Sequence, residues 1–304
     1  MSTNDSQRGY SIDTGRRRKK QLGLGILAVV IVAIVVVIVV NATGGNSANA
    51  SEFGTNMKIA YFSAFPSEEK LLEYVAKEVA PEYGLTVTPV SLGEPQQIDR
   101  SVSEGENAAT IYEHKYWMQQ EVESGGFNIE AALPIYKWAF ALDSDKYKSV
   151  AELPQGATIA IPADPSNQAQ ALWLLESQGL VKLKAGVNAW SAELGDIEEN
   201  PKDLKFKAIE ATDVPRALGD VDAAVTYADI FETAGVSADK TIVIPVPPPP
   251  FDSQLVIGKA HADDPNIKKL IELWEDPKIQ AYLKNEGAPA LFPVSAKPTI
   301  GPNA

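Results

Sequence analysis

The residues best placed for chemistry lie in one stretch of this sequence, Thr158 to Leu183. It starts with the apolar run TIAI, continues through the turn cluster PADPSN and then reads QAQALWLLESQGL. These patterns predict a strand, a turn and a helix that is capped by Asp164, Ser166 or Asn167. A helix that begins above the end of a strand can form a polar or anionic pocket there, although ordinary α/β loops share the pattern.

Catalytic and metal chemistry is not indicated elsewhere in the sequence. The chain has no cysteine, which excludes thiol catalysis, disulfides, thiolate metal sites and cysteine lipidation. The two histidines, His114 and His261, lie too far apart in sequence to suggest a metal site. No GxSxG, P-loop or GxGxxG motif occurs. We therefore predict no catalytic residue, no metal, no cofactor and no enzymatic activity.

The charge is unevenly distributed along the 304 residues. Residues 1–20 carry six Lys or Arg and two Asp, whereas the whole chain has a net charge of -13. The remainder is therefore strongly acidic, which argues against nucleic acid as a partner.

An uncharged run dominated by Val, Ile and Leu extends from Leu22 to Val40, directly after the basic cluster Arg16–Lys20. At about 1.5 Å per residue it can cross a hydrocarbon core of about 30 Å. Basic residues stay on the cytoplasmic side. We predict a cytoplasmic tail (1–20), a single-pass membrane anchor (21–41), a flexible tether (42–56) and an extracytoplasmic body. The small residues around Ala48–Ala50 leave a cleaved signal as an alternative.

Strands alternate with helices from Met57 onward, which predicts a mainly parallel sheet with helices on both faces. One long strand is predicted over Leu133–Leu142, the alternation begins again after Ser149, and a strand is predicted over Asn188–Ile197. The four prolines Pro247–Pro250 predict a rigid extended loop outside the sheets, and closing helices are predicted over Pro265–Trp274 and Pro277–Asn285. Two such α/β units joined by long strands indicate two lobes with a cleft between them. The predicted boundaries are 57–141 with 246–304 for lobe I, and 142–245 for lobe II.

Three segments resemble the NlpA lipoprotein family: ELPQGATIAIPADPSNQAQALWLLESQGLVKLKAG, IEENPKDLKFKAIEATDVPRALGDVDAAV and DDPNIKKLIELWEDPKIQAYLKNE. The resemblance implies a type II periplasmic-binding-protein fold, with two lobes and hinge strands that close on a small molecule. It also implies methionine-type amino-acid transport with an ABC permease and ATPase as partners. The family is usually tethered by a lipidated cysteine, and the predicted membrane helix would replace that lipid here.

The candidate site departs from the family pattern. Gln170 stands where the family usually has an Arg that grips the ligand carboxylate. The segment TYAD (226–229) replaces family Asn residues, and the strand residues 136–138 are more aromatic than in the family. The resemblance and these departures predict the following ligand-binding residues: Tyr112, Tyr136, Lys137, Trp138, Asn167, Gln170, Tyr227, Asp229 and Gln254.

The missing Arg suggests a ligand that is neutral or cationic and larger or flatter than methionine, because an unpaired buried carboxylate is costly. Lys137 could supply the positive charge if it points into the cleft. Other roles remain open: the aromatic residues as core, Asp229 as a helix cap, and His114 and Arg216 as structural residues. The predicted function is a solute-binding protein of an ABC importer; the alternative is a ligand-sensing or interaction module that uses the same cleft without a transporter.

Overall fold

The structure is a computed structural model that describes residues 51–188, 190–285 and 290–299. The predicted cytoplasmic tail, membrane anchor and most of the tether lie outside these residues. Within the described ranges, no helix is both long enough and apolar enough to cross a membrane.

The described chain alternates strands and helices, as the sequence predicts. The strands are β1 (Asn56–Phe62), β2 (Thr86–Leu92), β3 (Ala109–Thr110), β4 (Ile129–Trp138), β5 (Phe140–Asp143), β6 (Thr158–Pro162), β7 (Lys182–Leu183), β8 (Ile197–Glu199), β9 (Lys205–Ile209), β10 (Ala223–Tyr227), β11 (Thr241–Val243), β12 (Asp252–Gly258) and β13 (Leu291–Phe292). The α-helices are α1 (Pro66–Tyr74), α2 (Pro95–Ser103), α3 (Lys115–Gly125), α4 (Pro165–Ser177), α5 (Ala228–Thr233), α6 (Pro265–Trp274) and α7 (Pro277–Asn285).

The helix starts follow simple sequence signals. Five of these seven helices have proline as their first residue, where the ring fixes a helical φ and the missing N–H is not needed. Asp164 and Asp264 cap α4 and α6 by accepting hydrogen bonds from backbone N–H groups of the first turn. Gly126 ends α3 in the left-handed conformation at φ 69°.

Two sheets organise the described residues. The first has the order β13-β4-β12-β3-β1-β2, and the second has the order β11-β5-β10-β6-β9. The expectation of a mainly parallel sheet is wrong, since both sheets are mixed. Only β2-β1-β3 and β9-β6-β10 are parallel. The long strands β4 and β12 pair antiparallel along their lengths, so the parallel pattern holds only within each α/β unit.

Two further expectations about strands need correction. The single strand expected over Leu133–Leu142 is divided at Ala139, so β4 belongs to the first sheet and β5 to the second. The strand expected over Asn188–Ile197 does not form within the described part of that range, where β8 begins only at Ile197. Alternating apolar residues indicated extended structure there, but the chain turns through a 3-10 helix at Leu194–Asp196 instead.

The chain passes between the two sheets twice. It leaves the first sheet at Ala139, whose N–H bonds the carbonyl of Ala290 at 2.7 Å. It returns through the proline-rich segment before β12, as expected for an extended loop that cannot enter a sheet. Helix α4 packs beside the second sheet and buries Leu172, Leu174 and Leu175 completely. The loops at the ends of the parallel strands are thereby fixed relative to each other.

Candidate functional site

A cavity of about 250 Å³ lies among loops from both sheets. Its walls come from the carboxyl ends of parallel strands, which is where open α/β sheets usually bind ligands. Phe62 and Tyr227 end β1 and β10, and the other lining residues follow β1, β2, β3, β6, β9 and β10. The lining residues are Phe62, Phe65, Gly93, Glu94, Pro95, Tyr112, Glu113, His114, Trp117, Asp164, Asn167, Glu210, Ala211, Thr212, Tyr227 and Ile230.

Aromatic side chains cover much of the cavity wall. Phe65 lies edge-on to Tyr227, with ring centroids 5.2 Å apart. The Trp117 indole N–H donates to the Tyr112 hydroxyl at 3.0 Å, and that hydroxyl donates to the Asp99 carboxylate at 2.9 Å. These bonds fix the ring orientations, so the aromatic faces are held in place before a ligand arrives.

Asn167 is the best-connected polar residue of the wall. Asp164 accepts its backbone N–H at 2.9 Å and its side-chain N–H at 3.1 Å. Its side-chain oxygen accepts from the Tyr227 hydroxyl at 2.7 Å and lies 3.4 Å from His114 Nε2. Asn167 therefore links the start of α4 to β10 and to the loop before α3.

His114 is a neutral residue of the wall. Its Nδ1 accepts the backbone N–H of Trp117 at 3.2 Å, so in the neutral ring the proton belongs on Nε2, which faces Asn167. Burial lowers the pKa of His114 to about 4. At neutral pH it therefore adds no positive charge to the cavity.

The charged residues of the wall are all acidic. Glu94, Glu113, Asp164 and Glu210 line the cavity, whereas none of its described lining residues is Lys or Arg. The wall thus combines aromatic faces and carboxylates without a balancing cation.

Glu113 and Asp99 form a buried carboxyl pair at the cavity. Glu113 is 2% exposed, and neither of its carboxylate oxygens accepts from an N–H or O–H group of the described residues. Its acidic neighbour is the carboxyl of Asp99, and each carboxyl disfavours the ionised form of the other. Burial, reinforced by nearby acidic groups, raises the pKa of Glu113 well above its ordinary range and that of Asp99 to about 7.

Replacing Glu113 with glutamine is expected to stabilise the ligand-free protein increasingly as the pH rises from about 5 to 8, by more than about 1 kcal/mol at pH 8. The folded protein holds a proton that the unfolded chain releases above the ordinary pKa, so the wild type loses stability through this interval. Urea unfolding at several pH values measures the difference. The exposed replacement Glu73→Gln should show no such trend, and a Glu113→Gln gain that is independent of pH would contradict the raised pKa of Glu113.

The comparisons with known proteins agree with this architecture. Residues 60–295 match the family model described as NlpA lipoprotein. The chain belongs to the NlpA lipoprotein family. It is 33% identical over 221 residues to the probable D-methionine-binding lipoprotein MetQ of Pasteurella multocida, covering 72% of this chain and 80% of that protein.

Solved structures of similar proteins share the fold. A nutrient-binding protein from Burkholderia cenocepacia, solved bound to methionine, aligns with a TM-score of 0.66 and 31% identity over 78% of this chain and 98% of its own. A periplasmic substrate-binding protein of an ABC transporter from Coxiella burnetii aligns with a TM-score of 0.68 and 27% identity, over 78% of this chain and 99% of its own. The described body therefore has the α/β fold of periplasmic substrate-binding proteins.

Three of the residues predicted from the NlpA pattern line the cavity: Tyr112, Asn167 and Tyr227. Tyr136 and Trp138 lie in the core behind it, both completely buried. The Trp138 ring packs against Phe65 at 4.2 Å and against Tyr227 at 5.4 Å between centroids. The four aromatic residues predicted to bind the ligand are thus corrected to two wall residues and two core residues, because β4 turns the Tyr136 and Trp138 rings toward the hydrophobic core.

Lys137 and Gln254 point elsewhere. Lys137 is 1% exposed and forms an ion pair with Asp252, so its charge is already matched. The Gln254 side-chain N–H donates to the Asp252 carbonyl at 2.7 Å, outside the cavity. The suggestion that Lys137 replaces the family Arg does not agree with this geometry. Arg216 pairs with Asp213 at the surface.

Asp229 connects elements that belong to different sheets. It is the second residue of α5, which follows β10, and its carboxylate accepts the Ser67 N–H at 3.0 Å and the Ser67 hydroxyl at 2.7 Å in α1. It does not cap its own helix. Burial raises the pKa of Asp229 to about 6, against the opposing effect of the Ser67 hydrogen bonds. The residue therefore fastens α1 to α5 beside the cavity rather than lining it.

Gln170 lies one helical turn after Asn167 on α4 and is completely buried. Neither atom of its amide group has a hydrogen-bond partner among the described residues, and it does not line the cavity. The family position that usually carries a charged Arg is thus occupied by a neutral, unpaired amide.

Gln170→Met is expected to leave the free energy of unfolding unchanged or to raise it by about 1 kcal/mol, because an unbonded buried polar group costs about 1–3 kcal/mol. The matched control is Gln280→Met. The Gln280 amide donates to the Ile135 carbonyl at 2.9 Å and accepts from Val294 N at 3.0 Å, so this variant should lose stability. Urea unfolding compares them, and a loss for Gln170→Met as large as that of the control would contradict the structure.

Several lining residues were not found from the sequence, namely Phe62, Phe65, Glu94, Glu113, Glu210 and Thr212. Their shared signal is position, since each follows or ends a strand of a parallel set. Recognising it requires knowing which strands are parallel neighbours, and the sequence did not reveal that.

Proposed function

We propose that this protein is the extracytoplasmic solute-binding component of an ABC importer and captures one small molecule in the cavity. The observation that carries the proposal is a partly aromatic cavity at the carboxyl ends of parallel strands from two sheets. Membership of the NlpA family supports it, as do the methionine-binding name of the Pasteurella relative and the methionine-bound Burkholderia structure. The names of these relatives describe binding and transport proteins rather than enzymes.

The ligand contacts that we propose are Tyr112, Asn167 and Tyr227, with Tyr136 and Trp138 holding the aromatic wall from behind. A volume of about 250 Å³ suits a compact molecule near the lower end of the usual size for ligand pockets. It therefore supports a ligand of about the size of an amino acid. The size of the cavity does not support the hypothesis, drawn from the sequence, that the ligand is larger than methionine.

Capture proceeds by lobe closure in this proposal, in a type II arrangement with hinge strands. The hinge positions are Ala139 and the proline-rich return. Because β5 belongs to the second sheet, the boundary predicted after residue 141 moves to Ala139: lobe I then comprises 57–138 and 246–304, and lobe II comprises 140–245. The open form takes up the ligand, and the closed form, which presents the docking surface to the permease and ATPase, is favoured by ligand contacts. The bonds between Asp229 and Ser67 hold the two lobes together in the closed form.

The proposed anchor is a single-pass helix over residues 21–41, with a cytoplasmic tail (1–20) and a tether (42–56). The uncharged run and the basic cluster before it support this anchor. Alkaline extraction of membranes tests it: the full chain should stay in the membrane pellet, and release of the intact chain would count against it.

The transport role is tested in cells that lack the gene. Uptake of labelled amino acids and amines should fall for at least one compound and recover with the wild-type gene. A gene carrying Thr212→Trp, which places a large ring in the cavity wall, should not restore uptake. Normal uptake, together with ligand-dependent pairing to a protein other than a permease, would favour the alternative of a sensing module.

A further inference from the structure

We propose that the cavity selects a small organic cation that lacks a free carboxylate, such as an amine or a quaternary ammonium compound. This inference rests on the proposed function and names the ligand class for the same site. It follows from the distribution of charge and from the polar groups that the protein leaves unmatched.

The cavity offers nothing that could neutralise a carboxylate. Among its described lining residues, four are acidic, none is Lys or Arg, and His114 is neutral. The buried cation Lys137 is paired with Asp252, and the buried Gln170 side chain on α4 is a neutral amide. A buried carboxylate without a partner costs several kcal/mol, so a ligand that carries one would be strongly disfavoured.

Helix N-termini could otherwise attract an anion, but the protein places its own carboxylates there. Glu94 immediately precedes α2, Asp164 caps α4, and Glu210 immediately precedes the 3-10 helix Ala211–Ala217. Glu94 and Glu210 make no capping hydrogen bond with their side chains. Their carboxylates are therefore available to a cation in the cavity, and they oppose an anion.

Glu113 gives the cation a specific partner inside the wall. It is buried, it lines the cavity, and no N–H or O–H group of the described residues donates to its oxygens. The charged or titratable groups that face it are the carboxyls of Asp99 on α2, Glu121 on α3 and Glu68 on α1, together with the phenol of Tyr112, and none of them is a cation. A cation at this position would relieve the repulsion among these carboxyls and displace the proton that Glu113 retains.

The aromatic wall suits the same ligand. Tyr112, Trp117 and Tyr227 line the cavity with Phe62 and Phe65. Aromatic faces attract cations through their quadrupoles, most strongly where water is excluded. Carboxylates and aromatic rings on one wall therefore favour a positive group and leave the remaining surface for an apolar part of the ligand.

Isothermal titration calorimetry on the full chain tests the inference with two matched pairs of probes. L-methioninamide and choline carry a cation without a carboxylate, whereas L-methionine and glycine betaine carry both groups. At least one carboxylate-free probe should bind at least about tenfold more tightly than its partner. Tighter binding of the carboxylate-bearing member of each pair, or no binding by any of the four probes, would overturn the inference.

Proton release distinguishes the proposed contact from general attraction. Binding of the cationic probe near pH 7 should release a proton, which makes the measured enthalpy depend on the ionisation enthalpy of the buffer. Glu113→Gln should weaken that probe at least about tenfold and abolish the buffer dependence. The exposed replacement Glu73→Gln should change neither the affinity nor the buffer dependence of the enthalpy. Wild-type affinity together with wild-type buffer dependence in Glu113→Gln would overturn the assigned contact.

The outcomes also separate this inference from the proposed function. Preferential binding of methionine would overturn the cation preference and leave the importer role standing. An unaltered uptake profile in the deletion strain would overturn the importer role, whichever probe the purified protein prefers.

Discussion

Replacing Lys137 with methionine is expected to lower the free energy of unfolding by about 3–5 kcal/mol. The side chains of Lys137 and its partner Asp252 are 1% and 4% exposed, so the variant leaves a carboxylate buried without its cation. The pKa of Asp252 is already raised to about 6 by burial despite the lysine. Urea unfolding near pH 7 measures the loss, which should be smaller at pH 5, where the carboxyl can protonate.

Two controls define the cause. Combining Lys137→Met with Asp252→Leu removes both charges and should recover most of the stability. Lys182→Met breaks an exposed ion pair with Glu199 and should change stability by less than about 1 kcal/mol. A Lys137→Met protein with wild-type stability but no affinity for methionine would show instead that Lys137 serves the ligand, as the sequence suggested.

Replacing Asp229 with alanine is expected to weaken ligand binding by about 10- to 100-fold. The carboxylate accepts two hydrogen bonds from Ser67, and bonds to a charged group contribute about 1.5–3 kcal/mol. In the proposed mechanism these bonds form only when the lobes close, so their loss favours the open form. Calorimetry with methionine and methioninamide measures the affinity of whichever probe binds.

Small-angle scattering supplies the structural control for Asp229→Ala. The variant should keep a larger radius of gyration than the wild type at the same probe concentration. Ser67→Ala keeps the backbone N–H bond at 3.0 Å and loses only the hydroxyl bond, so its effect should be smaller. Unchanged affinity and unchanged compaction in Asp229→Ala would show that this contact does not hold the lobes closed.

Local signals in the sequence predicted much of the fold. The closing helices Pro265–Trp274 and Pro277–Asn285 have the expected boundaries, because proline and apolar spacing define them within the segment itself. The start of α4 was also predictable locally, because Asp164 is a favoured N-cap residue and caps this helix. The break of the long strand at Ala139 was not predictable in this way, since it depends on a strand partner that lies far away in the chain.

The candidate site was predicted only in part, for a related reason. Tyr112 and Asn167 follow strands, Tyr227 ends one, and all three reach the cavity. Tyr136 and Trp138 are also aromatic residues of a strand, but they face the core. The periodicity of a strand shows that its side chains alternate between two faces, but it does not show which face lines the cavity. The partner of Lys137 is 115 residues away in sequence, so its pairing could not be read locally.

The central claim is that the cavity between the sheets holds a small ligand. Native mass spectrometry of the full chain in detergent, after incubation with an extract of growth medium, tests it most directly. The wild type and Thr86→Trp, an exposed control on β2, should each retain one small molecule, whereas Thr212→Trp should retain none. A bound molecule that persists in Thr212→Trp, or no bound molecule in any of the three proteins, would contradict the claim.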